Sequence, residues 1–116
     1  MNKNDLKYNK INFKKQTFQL SNFSEISVEL ARRLREVRLF QNIKQQDLAD
    51  RSGLSIATIK NFEAGSSISF ENVLKIIGVL GLNSELENLF LIQPQSIADL
   101  EKIEKLQNKK IRKRAR

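Results

Sequence analysis

The stretch Gln45-Gln46-Asp47-Leu48-Ala49-Asp50-Arg51-Ser52-Gly53-Leu54-Ser55-Ile56-Ala57-Thr58-Ile59-Lys60-Asn61-Phe62-Glu63-Ala64 contains what two short helices need in order to cross at a tight turn. The first helix must let the second approach closely, and Ala49 supplies a small side chain at the crossing. A turn between helices requires a residue that tolerates positive φ, and Gly53 stands four residues on. Ser55 is a good N-cap for the second helix, which runs to Ala64 and stops at Gly65. Leu48, Leu54, Ile59 and Phe62 fall where apolar side chains would hold both helices to a core. Ser55, Ile56, Ala57, Lys60 and Asn61 are left on an outer face.

Working outward, the pattern predicts more helices on both sides. Ser24 to Ser27 offer N-caps for a helix whose Ile26, Leu30, Leu34 and Val37 recur at helical spacing, and Asn42 suits its left-handed end. Ser69 caps another, with Phe70, Val73, Leu74, Ile77 and Leu80 as its apolar face. Gly81 stops it, and Gly78 inside it costs roughly 1 kcal/mol relative to Ala. Ser84 opens a fifth helix over 85–92, closed by Pro94. The expectation is an all-α, five-helix domain over 24–92, with an N-terminal arm (1–23) and a C-terminal extension (93–116). In the arm, Ile11/Phe13 and Phe18/Leu20 alternate with polar residues, compatible with a strand or with an arm that orders on a partner. In the extension, Ile97, Leu100, Ile103 and Leu106 predict one more helix over 96–106, followed by a basic tail over 109–116.

A crossed pair of helices with a free outer face on the second is the logic of a helix-turn-helix, whose second helix enters the DNA major groove. Residues 28–90 resemble the lambda-repressor/Cro-type (XRE) family. Ile43-Lys44-Gln45-Gln46-Asp47-Leu48-Ala49 is similar to its Leu-Ser/Thr-Gln-x-x-Leu-Ala motif, and Gly53-Leu54-Ser55 to its Gly-Val-Ser turn. Thr58-Ile59-x-x-Phe62-Glu63-x-Gly65 is similar to the end of its recognition helix, and Leu80-Gly81-Leu82 to the end of its fourth helix.

The resemblance implies a five-helix repressor-type domain with flexible basic extensions, binding double-stranded DNA as a homodimer. Gln45 would hold a phosphate with its side chain and its helix-terminal N–H. Ile56, Ala57, Lys60 and Asn61 would face base edges or flanking phosphates, with Ser55 at the recognition-helix N-terminus; Lys44, Gln46 and Thr58 complete the DNA-facing set. Arg38 would brace the first helix against the recognition helix through Glu63. Leu82, Leu86, Leu89 and Phe90 are the expected dimer surface. Two departures stand out. Lys44 replaces the usual Ser/Thr N-cap, and the apolar Ile56 and Ala57 replace polar readers. Such side chains suit thymine methyl groups, while Asn61 can bond adenine, so A·T-containing half-sites are expected; weak or indirect readout is the alternative.

The layout also resembles small autorepressors that act as antitoxins, in particular HipB-like ones paired with a HipA-type kinase toxin. Residues 58–63 and the basic C-terminal extension carry that likeness. A phage-type or host repressor without a toxin, or a helix-turn-helix that docks on protein, remain alternatives.

Charge sharpens the picture. The 116 residues carry 21 Lys+Arg against 13 Asp+Glu, a net +8. Residues 1–20 hold five Lys and one Asp, and residues 93–116 hold eight bases and three acids. Residues 21–92 hold eight bases and nine acids, so the expected reading domain is almost neutral. The basic run over 109–116 would add phosphate contacts, dock on an acidic partner or stay solvated. With no His and no Cys, His-dependent catalysis, thiol chemistry and the usual zinc sites are excluded. The acidic neighbours Glu85/Glu87 and Asp47/Asp50 read as surface or helix-terminal charge. No enzyme activity, metal or cofactor is expected. No apolar run reaches ~18 residues and residues 1–8 lack a signal-peptide core, so a cytoplasmic, membrane-free protein is expected.

Overall fold

The computed structural model describes Phe18 and residues 21–114 of the chain, so most of the N-terminal arm, with Ile11, Phe13 and Leu20, lies outside the described residues. Among those described, the regular structure is helical: α1 (Phe23–Phe40), α2 (Gln45–Ser52), α3 (Ile56–Glu63), α4 (Phe70–Val79), a 3-10 turn (Asn83–Leu86) and α5 (Ile97–Arg114). The chain divides into two compact units, the first ending at Leu82 and the second starting at Asn83.

In the first unit the helix ends follow from local chemistry. Asn22, two residues before the first of the expected caps, accepts a hydrogen bond from the Glu25 N–H at 2.8 Å. Ser55 and Ser69 do the same for Thr58 and Asn72. Lys44 caps α2 by position alone, with no side-chain bond. Three C-termini close with the same pair of backbone bonds. Ile43 N–H reaches Arg38 O, Ser66 N–H reaches Asn61 O, and Leu82 N–H reaches Ile77 O, each behind a left-handed residue: Asn42, Gly65 and Gly81.

Packing centres on α2, which lies against α3 and α4, while α1 packs on α3. Leu48, Ala49, Ile59 and Phe62 are buried, joined by Ala31, Ile76 and Leu80. Two apolar faces are rotated from their expected lines. On α1 the inward residues are Ala31, Leu34 and Val37, and Leu30 is exposed. On α4, Ile76 is buried and Phe70 is exposed. In each case a run with several apolar choices settles on the face that reaches α3 or α2.

The second unit departs further from expectation. The helix expected over 85–92 is a single 3-10 turn, with Glu87 N–H bonded to Ser84 O and Leu89 N–H to Leu86 O. Phe90 has φ 59°, which interrupts any helical path. Leu89, Phe90, Leu91 and Ile92 are consecutive, so a helix would scatter them around its circumference instead of gathering one face to bury. After Pro94, α5 starts at a reciprocal cap. Ser96 Oγ accepts the Asp99 N–H, and the Asp99 carboxylate accepts the Gln95 N–H. The helix continues past Leu106 to Arg114, so most of the basic run is helical. No described helix is long and apolar enough to cross a membrane.

Candidate nucleic-acid interface

Gly53, with φ 74°, turns the chain between α2 and α3. The buried Ala49 lets the two helices meet. α3 then turns Ile59 and Phe62 into the core and leaves Ser55, Ala57, Lys60 and Asn61 exposed. Lys44 and Gln46 are exposed at the start of α2, where Gln46 Nε2 donates to Asp50 Oδ1. Thr58 is half-buried, its hydroxyl 2.8 Å from Ser55 Oγ. Ile56 differs from expectation: it is half-buried and packs against the core cluster, because the first turn of α3 leans its aliphatic side chain inward.

One charged cluster holds this geometry. The side chains of Arg38 and Glu63 are both buried and bond twice, Nε to Oε2 at 2.7 Å and Nη2 to Oε1 at 2.9 Å. The third guanidinium nitrogen donates to Ile43 O at 2.8 Å, at the turn leading into α2. Gln45 Nε2 also donates to Glu63 Oε1 at 2.9 Å. The side chain expected to hold a phosphate is thus tied into the brace. That leaves the N–H groups of the uncapped α2 terminus as its outward donors. Arg35, not singled out by sequence reasoning, brings its Nε to 3.9 Å from Glu63 Oε1 and stays half-exposed. No local motif signals it, because the approach depends on how α1 crosses α3.

A second cluster on α1 was also missed. Glu29 is buried and bonds Arg32 through both oxygens (2.6 and 3.0 Å) and Arg33 Nε at 3.1 Å. Hydrogen bonding from Arg32 outweighs the cost of burial and, with Arg33, lowers the carboxyl pKa to about 2. Arg32 also bonds Glu36, and the Arg33 guanidinium lies 5.0 Å from the Phe18 ring centre. The sequence signal was two bases at helical spacings from one acid, which is common on solvated helices and so carried little information.

The expected dimer residues fall in different settings. Leu82 packs against the core of the first unit, following the α4 end motif, and Leu86 is half-buried. Leu89 and Phe90 are exposed, together with Leu91 and Ile92. A family model described as helix-turn-helix matches residues 34–88. No curated protein and no solved structure matches the chain.

Proposed function

We propose that this chain, a member of the lambda-repressor/Cro-type helix-turn-helix family of DNA-binding transcription regulators, acts as a sequence-specific repressor that binds DNA as a two-fold dimer. The observation that carries the reading is α3. Two of its residues, Ile59 and Phe62, anchor it in the core while Ser55, Ala57, Lys60 and Asn61 stand free on the other side. Asn61 would bond adenine N6/N7, and Ala57 would meet a thymine methyl. With Ile56 turned inward, those two residues carry the preference for A·T base pairs. Lys60 and Lys44 would contact phosphates, and the α2 N–H groups would seat another. A dimer formed through exposed residues such as Leu89 and Phe90 would set two half-sites roughly 34 Å apart.

The antitoxin reading is narrower. Of residues 58–63, which carry the HipB-like resemblance, Ile59 and Phe62 are core and Glu63 belongs to the brace. Thr58, Lys60, Asn61 and the basic extension are left to support a HipA-type kinase partner and autoregulation. Co-purification with a kinase encoded next to this chain tests that reading. Repression itself is tested by selecting bound duplexes from a random pool and measuring their affinity against salt. A recovered motif of two A·T-containing half-sites is expected; no binding to any duplex at low salt refutes it.

A further inference from the structure

Over residues 21–82 most of the positive charge is already neutralised. Arg32, Arg33, Arg35, Arg38 and Lys75 each lie within 4.0 Å of a carboxylate of Glu29, Glu36, Glu63 or Glu71. In that stretch Lys44, Arg51 and Lys60 have no ion-pair partner among the described residues. In α5 the exposed Lys102, Lys105, Lys109 and Lys110 likewise pair with no acid among the described residues. Asp99 and Glu101 stand one turn before Lys102 and Lys105, but the Asp99 carboxylate accepts the Gln95 N–H instead. Uncompensated positive charge is therefore densest on this one helix.

The helical register gathers that charge. Lys102, Lys105 and Lys109 follow at i, i+3 and i+7, and position 112, an Arg, continues the line at i+10. A basic stripe thus runs about 15 Å along one side of α5. Residues 105–114 hold six bases and no acid. Leu100, Ile103 and Ile111 lie on the opposite side, where Glu104 and Gln107 interrupt them. A lipid surface needs an unbroken apolar face, so that side does not suit one. Ammonium groups in a row match a linear polyanion, and a duplex presents one phosphate per about 3.4 Å of each strand. Lysines act there as point charges, without the fork that reads base edges, so the stripe positions and does not specify. The chain belongs to a DNA-binding family, and residues 83–96 tether α5 to the first unit. A duplex held by α3 would be presented to the stripe at high effective concentration.

We propose that α5 is a second, sequence-independent DNA-contact element, whose Lys102, Lys105 and Lys109 bind the phosphodiester backbone of a duplex. It rests on the reading of α3 only for the source of that duplex, and the test separates the two. Fluorescence anisotropy of the full chain is measured at graded salt on a duplex selected from a random pool and on a scrambled one. Lys102→Gln with Lys105→Gln and Lys109→Gln is expected to lower the log–log salt slope by about 2–3 on both duplexes, about 0.9 for each lost phosphate contact, with their affinity ratio kept. Lys110→Gln, the same change of charge off the stripe, leaves the slope unchanged. Gln is a good helix former; circular dichroism reports α5, and the single variants carry the test should the triple variant lose it. A slope lowered on the scrambled duplex upholds the stripe even where no operator is selected. An unchanged slope with the operator still bound overturns the stripe and leaves the α3 reading standing. Lys110→Gln acting as strongly as each stripe substitution also overturns it, as do stripe lysines that matter only for binding polyglutamate or phosphatidylserine vesicles. No binding to any duplex at low salt overturns both.

Discussion

Replacing Arg38 by Ala removes two bonds to Glu63 and one to the Ile43 carbonyl. It also leaves a buried carboxylate whose remaining close donor is the Gln45 amide. Truncating one partner of a buried pair costs about 3–5 kcal/mol, because the other charge stays desolvated. Domains of this kind are stable by about 5–15 kcal/mol, so the loss would be a large part of the total. Urea unfolding followed by helical circular dichroism reads it directly. With a slope near ~1–2 kcal/mol per molar, the midpoint should fall by roughly 2 M or more, or the first unit should be unfolded in buffer. Arg38→Met combined with Glu63→Met removes both charges and should be more stable than either single substitution. A loss below about 1 kcal/mol for Arg38→Ala, or a double variant whose loss equals the sum of the singles, would refute the reasoning, since independent sites add and a paired charge cannot.

Four further outcomes can be checked. Asn61→Ala should weaken binding to the selected operator by about 1–3 kcal/mol and relax its base preference, whereas Lys60→Ala should weaken all duplexes alike and reduce the salt slope by about 0.9; fluorescence anisotropy at graded salt separates the two. The Glu29 carboxyl drops from 4.5 to about 2 on folding, so the unfolded chain binds more protons between those values. Its stabilisation is present above pH 4.5 and is lost as pH falls toward 2; Glu29→Gln should flatten that part of a plot of urea midpoint against pH. At Gly53, φ 74° with open space around an added Cβ, Ala should cost only the left-handed strain of about 1–2 kcal/mol. Gly65→Ala should cost more, because φ is 101° and its Cβ would meet Val28 Cγ2 at 3.3 Å; thermal melts rank the pair.

Much of the first unit was legible because several local signals agreed. Ser55, Gly53 and the spacing of Leu48, Ile59 and Phe62 each called for the same crossed helices, and Asn42, Gly65 and Gly81 stand at positive φ where the pattern stopped each helix. The rotation of α1 and α4 was not legible, because Leu30 and Ile77 satisfy helical periodicity as well as Ala31 and Ile76 do; only the neighbouring helix decides which line is buried. The segment 85–92 misled for the same reason in stronger form, since four consecutive apolar residues carry no period. At the site, exposure of Ala57, Lys60 and Asn61 followed from the residues that had to be buried on α3. Gln45 was placed at the right helix end, but its bond to Glu63 depends on a residue 18 positions away that no local rule reaches.

Three helix ends are closed by main-chain bonds behind a left-handed residue; Arg38 adds a side-chain bond to Ile43 O at the α1 end and Gln41 one to Leu80 O at the α4 end, while the α3 end at Gly65 rests on its main-chain bonds. The side chains on the outside of that last corner, Ser66 and Ser67, therefore carry little of the fold. Diverging copies of this gene can change them while the crossing of α2 and α3 is inherited intact. Tolerance of this kind leaves such surface positions open to drift without disturbing the frame that holds α3.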